Sequence, residues 1–464
     1  MAQPNSQGRL QWAHETFGAV EAGSRRRTDR LVAVAAGVAS RPAGTVTQVF
    51  AEGAAREGAY RLLSNVAVRA SELTRAMCDA TADACRKHRK VYVPLDGTSL
   101  SFTDTKNVRG VGDVGGYKGP NRGLQVLTAL AISEEGTPLG VLEQTWWARA
   151  ERSPVKRHFR RALESKETRF WLGTLKSARA RIEQLAPRTH AVFVLDRGFD
   201  SWAVLQTTRT DHVSLIVRAA YNRKIVAARR TSAQYLAEAL RAQPVLGRYD
   251  IEVPARDGHP ARTARMHVQA KRVALQLRLT PKRREVLEIN AVLAREVRGP
   301  EGRPLSWMLL TTEPVGTFAE VVEVVRAYSL RWRIEEVHRA WKRGGCNVED
   351  SQLRSREAIV KWATIHCAVA ARAVRLAQLA RERPDTPASE EFAQTEIDAA
   401  IALKKRTKFR LGDVPSLAET VTLIAEIGGY TGKSSGGPPG PTVIARGLER
   451  VAIAAEVLES IRGK

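Results

Sequence analysis

Apolar positions along the chain change their spacing from region to region, and each change marks a different kind of element. Between about 10 and 85 they recur at helical intervals: LVAV (31–34) continues one helical pattern and EGAAREGAYRLL (52–63) is another short helix. TVTQVF (45–50) reads as an extended link between them. From about residue 90 the runs shorten. VYVPL, Asp96-Gly97 and TSLSF read as a hairpin with Asp-Gly as its tight turn. GLQVLTALAI, SEEGT and PLGVLEQTWW give a second hairpin, followed by a charged helical segment over 154–185. AVFVLD (191–196) is a continuous apolar run ended by an acid, the mark of a buried central strand, and HVSLIVR, ending at Arg218, is the next strand. From about 230 to 305 the pattern is β-rich. RVALQLRLT alternates with Val273, Leu275, Leu277 and Leu279 on one face, and LEINAVLAREV and LSWMLLTTE are further strands, the last with Trp307 as core.

Helices return with 318–326, 328–342 and 356–381. YTGKSSGGPPGPT (430–442) is a linker. The final helix repeats Ile444, Leu448, Val451, Ala455 and Leu458 at 4,3,4,3 spacing, which suits self-association and docking on its own domain equally.

The stretch 328–342, YSLRWRIEEVHRAWK, separates into two faces when wound as one α-helix. Tyr328, Arg331, Glu335, His338, Arg339 and Lys342 share one face about 100° wide. Leu330, Ile334, Val337 and Trp341 share a neighbouring face fit for a core, and Glu336 points elsewhere. On a solvated helix these charges are i,i+4 partners worth about 0.2–0.5 kcal/mol per pair. Read as chemistry, they are one carboxylate ringed by cations that hold phosphates.

Charge changes the picture more than size does. The chain has 464 residues, room for two or three domains, and its 74 basic and 49 acidic residues leave a net charge of +25. Such a balance calls for a polyanion, of which nucleic acid is the commonest. The basic residues run through the whole chain, unlike a juxtamembrane cluster. The start MAQPNSQG lacks a signal-peptide core and no apolar run is long enough to span a bilayer, so a cytoplasmic protein without membrane contact is expected. Four cysteines (Cys78, Cys85, Cys346, Cys367) without a CxxC pair suit a reduced interior and argue against zinc. SRRRTDR places Arg25, Arg26, Arg27 and Arg30 near a helix start capped by Ser24 or Thr28, a candidate DNA-backbone contact. A GxGxxG at Gly110, Gly112 and Gly115 lacks the preceding strand and following helix of a dinucleotide site and is set aside.

Three acids remain: Asp96, Asp196 and Glu335. Asp96 is explained as a turn residue, and Asp196 as a helix N-cap, although Asp200 is the better cap candidate. Taken together, two strand-end aspartates and a helix-face glutamate in this order describe an RNase H-like sheet with a shared metal site. Oxygen-only ligands suit two Mg²⁺ or Mn²⁺ ions, which activate water or a 3′-hydroxyl for displacement at phosphorus.

YSLRWRIEEVHRAWK carries the spacing Y-(2)-R-(3)-E-(6)-K. With SRRRTDRLV, EGAAREGAYR, LDGTSLSF, LDRGFD and PLSWMLLTTEP in the same order, it resembles the IS-four family of DDE transposases over roughly residues 10–380. The resemblance implies an α/β fold: a helical N-terminal DNA-recognition domain (1–70), an RNase H-like catalytic core (71–375) with a β-rich insertion (about 230–310), and a helical C-terminal domain (376–464), to which its position and apolar periodicity assign dimerisation. It implies a cut-and-paste transposase that binds transposon-end inverted repeats, cleaves through a DNA hairpin and joins 3′ ends to target DNA as a homodimer holding two ends. Asp96, Asp196 and Glu335 would hold the metals. Tyr328, Arg331, Arg339 and Lys342 would contact end phosphates, with Arg339 standing where close relatives have lysine. Trp307 would receive a flipped base, Arg218 would contact DNA near the active site, and Arg26, Arg27, Arg30 and Arg61 would bind the end. A non-catalytic DNA-binding protein and an RNase H-fold nuclease without strand transfer are the competing functions.

Overall fold

In the computed structural model, residues 8–104, 109–115, 121–149, 167–226, 234–253, 262–279, 283–297, 304–404, 406–432 and 437–462 are described. Five helices open the chain: α1 (Gly8–Phe17), α2 (Arg25–Ser40), α3 (Val46–Val49), α4 (Gly53–Ser64) and α5 (Ala70–Cys85). The strands follow as β1 (Lys90–Ser101), β2 (Gly112–Asp113), β3 (Arg122–Ser133) and β4 (Pro138–Trp147). Then come α6 (Thr168–Leu185), β5 (His190–Leu195), α7 (Trp202–Thr210), β6 (Leu215–Arg218), α8 (Leu236–Arg241), β7 (Gly247–Val253), β8 (Arg262–Arg278), β9 (Arg284–Glu296) and β10 (Ser306–Thr311). Helices α9 (Phe318–Ser329), α10 (Trp332–Lys342), α11 (Arg356–Glu382), α12 (Gln394–Leu403), α13 (Leu417–Ile427) and α14 (Pro441–Arg462) complete it.

The described strands form one sheet. Its order is β2-β3-β1-β5-β6-β10-β9-β8-β7, with β4 also paired to β3. β1 runs antiparallel to β3 and parallel to β5, which runs parallel to β6; this is the RNase H-like core. The remaining strands extend the same sheet as an antiparallel meander. Val273, Leu275 and Leu277 of β8 are buried, as their alternation requires.

Several local expectations are corrected. Asp96-Gly97 is not a turn: β1 passes straight through it, pairing Leu95, Asp96 and Gly97 with Ala129, Thr128 and Leu127 of β3. The pairing partner across 12 residues outweighs a dipeptide preference. TVTQVF is not extended, because Thr45 and Gln48 form a reciprocal capping box that starts α3. The stretch 328–342 is two helices that part at Leu330 and Arg331. The second hairpin stands, with Gly136 at φ 111° in its turn. Of the charged segment over 154–185, α6 is seen and the earlier part lies outside the described residues. On α14, Ile444, Val451 and Ala455 are buried against the chain's own helices, while Ile453, Val457 and Ile461 form the exposed apolar stripe.

Helix α11 is buried almost all round and ties the units together. Lys361 Nζ donates to the carbonyls of Leu63 (3.0 Å) and Asn65 (2.9 Å), Trp362 Nε1 donates to Gly44 O (2.8 Å), and His366 Nε2 lies 2.8 Å from Ala43 O. These side chains satisfy buried carbonyls of the N-terminal helices, which otherwise would cost about 1–3 kcal/mol each. Gly44 also permits close packing against the segment ahead of α11, since a Cβ there would sit 2.1 Å from Asn347 O. The N-terminal unit also meets the C-terminal one through Arg9–Glu396 (2.7 Å) and Arg41–Glu449 (4.0 Å).

Trp362→Ala removes a fully buried ring and the partner of Gly44 O; a loss of about 3–5 kcal/mol of stability is expected in denaturant unfolding. A change below about 1 kcal/mol would show that α11 does not carry the N-terminal unit.

Candidate active site

The parallel pairing of β1 with β5 decides where the acids meet. Its register ends at Leu95 opposite Leu195, so Asp96 and Asp196 follow at the same level on neighbouring strands. β5 pairs with β6 at Leu195 and Val217, which puts Arg218 level with Asp196 on the next strand. Helix α10 packs on β1 and brings the third acid. Arg331, at its N-cap, spans the gap: Nη1 lies 3.5 Å from Asp96 Oδ2 and Nη2 lies 2.5 Å from Glu335 Oε1.

The electrostatics register this crowding. Burial raises the Asp96 carboxyl to about 6, Arg331 pulls it down, and Asp196 and Glu335 push it up. Asp196 and Glu335 are therefore both within electrostatic reach of Asp96. Asp196 also accepts a hydrogen bond from Gly198 N at 2.8 Å, which starts a 3-10 turn at Arg197–Phe199, so capping and site geometry coincide. Asp200 is not the N-cap of the following helix; Ser201 caps α7.

The remaining expected residues divide. Lys342 lies on the β1 side, its Nζ donating to Ser99 O at 2.8 Å and pairing with Glu349 at 3.5 Å. Arg339 is exposed on α10. Glu336 pairs with Arg333 at 3.1 Å, away from the triad. Arg218 donates from Nη2 to Ser306 O at 3.1 Å, and its Nε is buried without a partner. Tyr328 is not on the open polar face. It is 4% exposed, with its ring 5.0 Å from that of Trp307. Trp307 itself is 2% exposed between Tyr328 and Trp332, so the expected base-receiving ring is closed off in this arrangement. His338, placed on the polar face by the helical wheel, is buried and uncharged, burial pushing its pKa down to about 3. In the N-terminal unit Arg26, Arg30 and Arg61 are exposed and Arg27 is half-buried. Arg30 lies against Gly58 of α4, beside the turn that carries Arg61. Sequence reasoning missed Glu349, which accepts from Ser101 N at 2.8 Å and holds Lys342 to the strand; nothing in its spacing marks it.

Three regions of the chain match families of known proteins. Residues 9–68 match transposase DNA-binding, 164–371 the transposase DDE domain, and 368–463 the transposase Tn5 dimerisation domain. The chain belongs to the Tn5-like DDE transposases. This transposase is a DNA-cleaving enzyme that binds DNA and forms a homodimer. None of its described helices is long and apolar enough to cross a membrane. DDE domains depend on divalent metal. The oxygen donors and the raised Asp96 fit a cation, and the Arg331 guanidinium reaches between two of the three carboxylates. Among the described residues no three such side chains are arranged to hold a metal as they stand.

The transposase should therefore respond to pH through Asp96. A carboxyl raised from 3.8 to about 6 contributes stability below its ordinary value and loses it as pH rises through about 6. Above that, the ionised group costs the metal-free fold about 1–3 kcal/mol. Asp96→Asn is expected to melt higher than wild type at about pH 8 in chelator, with the difference shrinking toward about pH 4. An unchanged difference across that window would refute the crowding.

Proposed function

We propose that Asp96, Asp196 and Glu335 are the metal-binding triad of a cut-and-paste transposase. The supporting observation is their convergence: strand register sets two of them side by side, and Arg331 links the first to Glu335. The three carboxylates would hold two Mg²⁺ or Mn²⁺ ions, which supply an activated oxygen nucleophile and neutralise charge on the departing oxygen. Arg331, Arg339, Lys342 and Arg218 would position end phosphates, and Arg26, Arg27, Arg30 and Arg61 would hold the end. Residues 1–70, 71–375 and 376–464 would serve recognition, catalysis and dimerisation, at the nucleoid of a bacterial cytoplasm.

In this reading water first nicks one strand at each end, leaving a 3′-hydroxyl and a 5′-phosphate. The 3′-hydroxyl attacks the opposite strand, forming a hairpin and releasing the flanking DNA. A second water opens the hairpin, and the freed 3′-hydroxyls attack target DNA. Each subunit would bind one end and cut the other.

With the native flanking repeats and Mg²⁺ or Mn²⁺, Asp196→Ala and Glu335→Ala are expected to lose cleavage by at least about a hundredfold while still shifting end DNA in a gel. Retained metal-dependent cutting in either variant would remove the triad. Products that are cut but never joined to target would favour a nuclease.

Trp307 would take a flipped base only when the packing of Tyr328, Trp307 and Trp332 opens. Trp307→Ala should then slow hairpin formation by about tenfold more than nicking, a base-aromatic contact being worth about 1–3 kcal/mol. Equal loss of both steps would assign the ring to the core alone.

A further inference from the structure

We propose that Asp200 is a positioning residue that fixes the loop 219–223 beside the triad, and that Tyr221 on this loop stacks on an unpaired DNA base. The inference rests on the triad reading above and adds a contact to it. Arg218 ends β6 level with Asp196, so the chain leaves the sheet at the triad's own edge, and Tyr221 follows three residues later.

Asp200 holds that loop from below. It is 4% exposed, and its Oδ2 accepts from Ala220 N (2.7 Å), Tyr221 N (3.4 Å) and Arg223 Nη1 (2.6 Å). Its carbonyl accepts from Arg223 Nη2 at 3.1 Å, and its Oδ1 is buried without a hydrogen-bond partner. Burying a carboxylate and a guanidinium is a poor way to gain stability, since their desolvation offsets their attraction. What the clasp does secure is geometry: two successive amides and one arginine tie the loop after β6 to the turn after β5.

The loop so held presents an aromatic ring to solvent. Tyr221 is 64% exposed, with the Arg223 guanidinium 5.3 Å from its ring centroid, and Trp202, two residues beyond Asp200, is 37% exposed. Exposed rings among cations form a stacking platform for single-stranded nucleic acid, because every base has a π-face and every linkage a negative charge. Cutting and rejoining a duplex end unpairs bases at this edge, and Trp307 is closed between its neighbours. Tyr221 is the open ring that a displaced base meets.

The test uses full-length protein and 2-aminopurine placed either at the terminal nucleotides of the end duplex or in a target duplex, without metal for binding and with Mn²⁺ for cleavage. Wild type should alter probe emission in one of the two positions, which names the source of the base. Tyr221→Ala should abolish that change and slow hairpin formation or joining by about tenfold, while Tyr221→Phe and Tyr221→Trp restore both. Asp200→Asn should reproduce the Tyr221→Ala defect, and the double variant should be no worse than either. If Asp200→Asn fails to fold, the exposed Tyr221 series still decides. Unchanged emission and rates in Tyr221→Ala, or failure of the aromatic replacements to rescue, would overturn the proposal. Asp196→Ala, run alongside, separates this from the triad: cutting by that variant would sink the triad reading instead.

Discussion

Three carboxylates gathered at one sheet edge repel one another and lose hydration, and relief of that cost organises the site around Arg331. Its guanidinium is mostly buried and reaches Asp96 and Glu335 at once, so strand and helix are joined by one cation. The relief is incomplete, as the raised Asp96 carboxyl shows. A site that is electrostatically unsatisfied in the free protein is suited to receive divalent ions, and a cation that relieves it is suited to move onto a DNA phosphate.

The sheet makes this crowding possible because parallel strands align their ends. β1, β5 and β6 carry Asp96, Asp196 and Arg218 at the same level, which is where α/β sheets expose functional groups. β1 differs from its neighbours in running on past its acid to pair with β3, so Asp96 sits within a strand held on both sides up to its own level. Asp196 is held instead by the turn it caps. Behind the sheet, α11 supplies donors from Lys361 and Trp362 to carbonyls of the N-terminal helices, joining the DNA-binding unit to the catalytic one through buried hydrogen bonds.

Errors in the sequence reading have a common cause. Asp96-Gly97 carries a turn preference, but Gly97 tolerates an extended strand at a modest cost, which the pairing with β3 outweighs. TVTQVF is β-branched and looks extended, yet a two-residue capping interaction starts a turn of helix. A helical wheel drawn through 328–342 treats it as one helix and cannot show what packs on it; α9 ends at Ser329, α10 begins at Trp332, and Tyr328 is covered where it meets Trp307. Within α10 the wheel holds for Glu335 and Arg339, which face away from buried Ile334, Val337 and Trp341, but not for His338, which neighbouring elements cover.

Composition, hydrophobic period and the order of short motifs determined by themselves that this chain meets a polyanion, that helices flank a strand-rich centre, and that Asp96, Asp196 and Glu335 are the acids worth watching. Those properties are local or additive, so one dimension is enough to carry them. Tertiary structure alone decided that Asp96 lies in a strand, that Arg331 spans two acids, that Tyr328 and Trp307 close on each other, and that Asp200 clasps the loop bearing Tyr221. Each of these depends on residues far apart in the chain, and a linear pattern holds no record of which distant atom will satisfy a buried charge.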